Sequence, residues 1–217
     1  MNMEALWLSI QLSAMTSFIL LLIGPPVAYW LACSLWRWKF FIEAVIAVPL
    51  ILPPTVLGFY LLMAMGSHSA VGRFYGAFFN VPLAFSFSGL LIASILYSLP
   101  FAIQPLVVAF RGVDDRLIEL SAVLGDSFTR RFFKVVLPLS YRGMLTAFIL
   151  TFAHTVGEFG VVLMVGGNIP GVTQTISIDL YDQVQALNYQ GAAETALFLL
   201  ICSYLFLSFV YYLNRDG

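Results

Sequence analysis

The chain is a succession of long apolar runs separated by short polar breaks. Five runs approach or exceed the roughly 20 residues a helix needs to cross the hydrocarbon core of a bilayer: 5–35, 42–65, 85–110, 144–165 and 191–213. The first is longer than the core is thick, so it must tilt or overhang. The pattern predicts an all-α membrane protein of about five transmembrane helices, forming one transmembrane domain over 1–217. Two of the breaks are rich in turn-forming residues. One holds Gly66, Gly72, Gly76, Asn80 and Pro82; the other opens Gly166-Gly167-Asn168-Ile169-Pro170-Gly171. Neither an internal repeat nor a low-complexity segment is evident.

The third break, 111–142, is the most polar part of the chain. Asp114 or Asp115 can cap a first short helix. Leu117, Leu120, Ser121 and Leu124 then fall on one face at helical spacing. Gly125 suits the left-handed position that ends a helix. Asp126 or Ser127 can cap a second helix, expected to stop before Pro138. Two short amphipathic helices meeting at a glycine suggest an element that seats in a partner's groove. A DNA-reading helix pair is excluded by the apolar spans that follow on both sides.

Composition agrees with a membrane protein. Apolar residues make up 61% and charged residues 10% of the chain, and mean hydropathy is +0.95. Soluble domains average about 45–50% and about 25%. A net charge of −1 gives no reason to expect a nucleic-acid partner. The start, Met1 to Glu4, has no base, and its apolar run outlasts a leader peptide, so a retained span is expected rather than a cleaved one. Cys33 and Cys202 lie in apolar runs and are expected to act as small hydrophobic residues.

Basic residues mark the cytoplasmic side of a membrane protein. With the N-terminus outside and the C-terminus cytoplasmic, Arg37, Lys39, Arg111, Arg116, Arg130, Arg131, Lys134, Arg142 and Arg215 all fall inside, leaving Arg73 outside. The reverse orientation would expose all nine. Trp7, Trp36, Trp38, Tyr211 and Tyr212 stand where interfacial anchors are expected.

Prolines interrupt three runs: Pro25-Pro26, Pro49 with Pro53-Pro54, and Pro100 with Pro105. Each removes a backbone donor and favours a kink. Broken helices can line a path, which would put Pro53, Pro54, Thr55 and Gly58-Phe59-Tyr60 beside it.

His154 and Glu158 are ionisable groups inside an apolar run, where charge is costly and usually functional. Their spacing predicts one shared helix face. They are too few for a metal site. A carboxylate also repels an oxyanion, so the expected role is gating or packing, with Glu158 held by a hydroxyl, by His154 or by a second copy. A proton-coupled secondary carrier built on this pair is the alternative. The spans carry no intramembrane lysine or arginine for tight anion binding, leaving hydroxyls such as Thr55, Ser94, Ser98, Thr151 and Thr155, with backbone amides freed at the proline kinks, for weak contacts. An intramembrane enzyme is not supported by any nucleophile–base constellation, and no phosphate-binding glycine loop is present.

Glu119, Gly125 six residues on, and Leu137-Pro138 twelve further resemble the EAA signature of binding-protein-dependent ATP-binding-cassette importer permeases. Leu120 and Ser121 stand where that family usually has Ala-Ala, and Val135 where Ile is common. The stretches 48–58 and 152–171 resemble those of molybdate (molybdate/tungstate) permeases; sulfate and thiosulfate permeases are close relatives. The resemblance implies a type I importer permease fold of the MetI kind, a homodimer, two cytoplasmic ATPase subunits and an extracytoplasmic oxyanion-binding protein. It implies coupling to the ATPase through Glu119, Ser121, Ala122, Gly125, Leu137 and Pro138. No cofactor is expected on this chain, and ATP would be used by the partner subunit.

Overall fold

The computed structural model describes residues 1–213 and 215, so the last residues of the expected domain, 214, 216 and 217, lie outside it. Among the described residues the regular structure is helical throughout. In chain order it comprises α1 (Met3–Cys33), α2 (Lys39–Ile51), α3 (Pro54–Met65), α4 (Ala70–Phe79), α5 (Phe87–Arg111) and α6 (Asp115–Val123). Then come α7 (Phe128–Arg131), a π-turn (Phe132–Val136), α8 (Leu137–Leu139), α9 (Tyr141–Gly157), α10 (Gly160–Gly166), α11 (Ile176–Gln185) and α12 (Tyr189–Leu213).

Among the described residues three helices, α1, α5 and α12, are each long and apolar enough to cross a membrane, and two bent pairs, α2 with α3 and the helical stretch Phe128–Leu139 with α9, raise the number to five if each pair is one span. The bends correct the expected boundaries. The run 42–65 is not one rod: α2 and α3 meet at 111° across Leu52-Pro53. Here Pro53 and Pro54 together remove two donors, and the chain turns back. The run 144–165 is not one rod either, because α9 ends at Gly157 and α10 starts at Gly160. By contrast, α1 continues through Pro25-Pro26, α2 through Pro49 and α5 through Pro100 and Pro105. Since α1 carries an adjacent proline pair without breaking, lost donors alone do not set a break; neighbouring helices or water can satisfy the freed carbonyls.

α1, α5 and α9 form the centre of the bundle. At the end bearing the loop 111–142, Tyr29 and Leu31 of α1, Leu106 and Phe110 of α5, Phe132 and Val136 of the π-turn and Ala147 of α9 share one buried cluster. At the far end, Leu8 and Leu12 of α1 pack with Leu90, Val162 and Ile178. Lipid is as apolar as leucine, so close packing rather than water exclusion holds such helices together. Small residues permit it. A Cβ on Gly143 of α9 would overlap the Ala109 side chain of α5.

The two glycine-rich breaks contain helices that the turn-forming residues did not suggest. Ser69 caps α4 by accepting from Gly72 N at 2.8 Å. α11 is tied to α1 where Ile176 N donates to Ser9 Oγ at 2.8 Å and Asn2 Nδ2 donates to Asp179 Oδ1 at 3.3 Å. α12 is mostly exposed and leans on α9, with Phe206 and Phe152 rings 5.6 Å apart.

Candidate functional site

The loop 111–142 folds as two short helices joined by a tight turn. Asp114 caps α6 by accepting from Arg116 N at 2.9 Å, and Ser127 caps α7 by accepting from Arg130 N. Gly125 takes φ +87 between them, and open space surrounds the position of a Cβ. Its backbone, not crowding, therefore calls for glycine. Asp126 fastens the turn. Ser121 Oγ donates to its carboxylate at 2.9 Å, and Arg130 and Lys134 lie 3.5 and 3.7 Å away. The Ser121 bond above all, with Lys134 and Arg130 behind it, holds the Asp126 carboxyl below the usual carboxylate range.

Of the residues at helical spacing, Ser121 is buried, and Ile118 packs on the bundle, while Leu117, Leu120 and Leu124 are exposed. The bundle lies on one side of so short a helix, so the leucines turn away from it. One expectation for this loop needs correction: the second helix does not stop before Pro138, but runs through it to Leu139. The π-turn, closed by Leu137 N to Phe132 O, widens the coil just where the proline ring would meet a carbonyl one turn back.

The result is an apolar tip, with Val123 85% and Leu124 83% exposed beside exposed Leu120 and Phe128. Glu119 and Ala122 lie on the same exposed turn. An aromatic joint connects this tip to the spans. The Tyr29 ring lies 5.0 Å from those of Phe128 and Phe132 and 6.0 Å from that of Phe110. Displacement of the tip is thus felt directly by α1 and α5.

A second locus is formed by the two broken helices. α3 packs against α10, with Gly160 against Pro54 and Gly58 against Met164 and Val161. Pro53, Pro54 and Thr55 are exposed at this junction. Glu158 sits in the break between α9 and α10, buried at 6% exposure. Its Oε1 accepts from Val161 N at 2.8 Å and Val162 N at 3.2 Å, so it caps α10, while Oε2 is buried without a partner.

α9 ends at Gly157, between His154 and Glu158, and the two side chains are held by different groups. His154 looks toward α5. Its Nδ1 is 3.0 Å from Ser98 Oγ, which is 3.0 Å from Thr155 Oγ1, and its ring stacks on Phe101 at 3.9 Å. Ser98 and Thr155, with Ser94 and Thr151, are buried between helices rather than open to a path. Of the hydroxyls considered from sequence, Thr55 alone is exposed.

Sequence reasoning missed a large feature at the loop end. A cavity of 770 Å³ opens between α5 and α9, bordered by Leu50, Gln104, Asp114, Ser140, Arg142 and Thr146 among others. Gln104 is a lone amide in the apolar run of α5, flanked by Pro100 and Pro105, and that isolation was the available signal.

Residues 24–216 match the family described as the binding-protein-dependent transport system inner membrane component. The chain is 45% identical over 214 residues to the molybdenum transport system permease protein ModB of Azotobacter vinelandii, covering 99% of this chain and 95% of that relative. It is 32% identical over 191 residues to ModB of Escherichia coli K12, covering 86% and 83%. The inward-facing MetNI methionine ABC transporter superposes with a TM-score of 0.73 at 18% identity, covering 99% of this chain and 94% of that one. A bacterial alginate ABC transporter, in complex with an alginate pentasaccharide-bound periplasmic protein, gives 0.71 at 14% identity, covering 99% and 78%. The fold is therefore that of a MetI-like importer permease. The chain belongs to the binding-protein-dependent transport system inner membrane component family, as a multi-span transport subunit and not an enzyme.

Proposed function

We propose that this chain is the permease subunit of an ATP-binding-cassette importer that carries molybdate, or tungstate, across the cytoplasmic membrane by alternating access. The observation that carries the mechanism is the exposed apolar tip around Val123 and Leu124, set on a left-handed glycine and bolted to α1 and α5. An exposed apolar patch rimmed by charge suits a protein contact, here a cleft of a cytoplasmic ATPase. Glu119, Ser121, Ala122, Gly125, Leu137 and Pro138 shape that contact. The substrate rests on the near full-length identity to molybdenum permeases.

The working assembly would be two copies of this chain, two ATPase subunits that use the ATP, and an extracytoplasmic oxyanion-binding protein. The distribution of basic residues supports an N-terminus outside and a C-terminus in the cytoplasm. ATP draws the ATPases together, the tips follow, and the aromatic joint at Tyr29 passes the motion to the spans. The junction of Pro53, Pro54 and Thr55 with Glu158 gives where the broken helices pivot, and His154 fastens α9 to α5. This division of labour favours gating and packing over a proton relay.

The test is ATP-dependent uptake of labelled molybdate by proteoliposomes holding this chain with its ATPase and binding protein. Competition by tungstate and not by sulfate is expected. Competition by sulfate would move the chain to sulfate transport, and uptake driven by a proton gradient without ATP would overturn the importer.

A further inference from the structure

Gln104 lies seven residues from the loop end of α5, about 10 Å along the helix. It is thus within the hydrocarbon depth of the span. It is exposed, and its carboxamide has no hydrogen-bond partner among the described residues. A polar side chain at that depth turns from lipid toward water, a polar ligand or another helix, and here it borders open space. Gln104 borders the 770 Å³ cavity and a second one of 490 Å³ between α2 and α5. Pro105 lines the 770 Å³ cavity too, and its missing N–H leaves the carbonyl of Phe101 without its helical donor.

The other polar groups at the cavity are committed. Asp114 accepts the α6 cap, Ser140 Oγ donates to Ala109 O at 3.4 Å, and Arg142 Nε donates to Tyr141 Oη at 3.3 Å at the mouth. Arg142 and Asp114 balance in charge. What remains is a nearly neutral chamber holding one uncommitted N–H donor pair. Such a chamber suits a dianionic, tetrahedral oxyanion that must be held briefly and released, since a fixed cation pair would trap it.

We propose that Gln104 is a specificity-determining station for the oxyanion on the loop side of the path, donating its carboxamide hydrogens to an anion oxygen while Arg142 guards the mouth. The assignment deepens the importer reading and rests on it.

The test uses the complete assembly. Wild-type complex must first import molybdate with ATP; if it does not, the importer reading falls and this assignment with it. Given that uptake, Gln104→Glu sets a carboxylate against the anion and lowers uptake about tenfold or more. Binding-protein-stimulated ATP hydrolysis, which reports an intact assembly, stays within about twofold because the tip is untouched. Gln104→Asn, which keeps the donors, retains most of the uptake. Wild-type uptake by Gln104→Glu would overturn the assignment while leaving the importer standing. A second readout separates a path from a packing role. In a background with Cys33→Ser and Cys202→Ser, Gln104→Cys is labelled in inside-out vesicles by a membrane-impermeant thiol reagent, and molybdate slows the labelling. A cysteine that resists the reagent, or that forms a disulfide with a second copy, would place this position in a helix interface and refute the assignment.

Discussion

Gly160 lies so close to Pro54 that a Cβ on the glycine would stand 2.6 Å from the Pro54 Cβ. The contact joins the two broken helices at their breaks, where the backbones have least freedom to retreat. Gly160→Ala should force α3 and α10 apart at a cost of about 1–3 kcal/mol, the usual range for overpacking. Gly58→Ala, facing Met164 Cβ at 2.8 Å and Val161 Cα at 3.2 Å, meets atoms fixed to the α10 backbone and should fall in the same range. Thermal unfolding of the purified chain in detergent checks both costs. Equal stability of Gly160→Ala and wild type would show that the two helices are not locked here.

Glu158 uses one oxygen for structure and leaves the other unpaired. Gln supplies the same acceptor, so Glu158→Gln should assemble normally, whereas Glu158→Ala loses the cap of α10 at about 0.5–2 kcal/mol. The charge is then isolated as a variable. Altered uptake by the assembled Gln variant is expected from a gating role. Uptake at the wild-type rate would reduce Glu158 to a cap.

The hydrogen bonds at Ser98 tie α5 to α9 through His154 and Thr155. Ser98→Ala leaves a part-buried imidazole nitrogen without its partner and should cost about 1–3 kcal/mol. Removing both ends in Ser98→Ala with His154→Phe should cost less than the sum of the single changes. A double-mutant cycle on thermal unfolding measures the coupling, and strict additivity would deny the bond any weight.

Unbroken spans were legible in sequence because composition alone specifies them: α1, α5 and α12 fall close to their expected runs. The turn at Gly125 was legible because a left-handed position selects glycine locally. The breaks were not. Gly157 and Gly160 flank Glu158, but glycine is common within membrane helices and does not by itself specify a break; Gly160 packs on Pro54, more than a hundred residues earlier. α4 and α11 hid among glycines, although Val71, Phe74 and Phe78 are spaced as one helical face. The pairing of His154 with Ser98 rather than Glu158 is likewise a tertiary fact, invisible to a spacing rule that assumes the helix continues.

Asp126 titrates below an ordinary carboxyl, so the folded loop binds its proton more weakly than the unfolded chain. Its contribution is complete above about pH 4, the ordinary carboxyl value, and is lost as pH falls through the lower folded value. Hydrogen exchange over 121–134, corrected for intrinsic chemistry, should therefore be steady from neutral pH into mild acid and weaken below. Asp126→Asn, which keeps the acceptor for Ser121 but cannot titrate, should remove that acid step. An unchanged acid step in the variant would assign it to another group.

Leu124 is almost wholly exposed and borders a glycine with open space around it, so changing it disturbs no packing within the chain. Leu124→Asp should leave thermal unfolding within about 0.5 kcal/mol of wild type, as surface changes do. If the tip seats in an apolar cleft, the same change buries a carboxylate there without a partner, a cost of several kcal/mol. ATP hydrolysis stimulated by the binding protein should then fall about tenfold or more, tenfold corresponding to about 1.4 kcal/mol. Gly125→Ala is the complementary case. It keeps the apolar surface but strains the turn by about 1–2 kcal/mol, so it should weaken coupling by misplacing the tip rather than by repelling the partner. Hydrolysis restored at high ATPase concentration in Leu124→Asp but not in Gly125→Ala would separate the two, since mass action compensates a weakened contact but cannot correct the aim of a displaced one. Full coupling by Leu124→Asp would mean that the ATPase engages some other face of the chain.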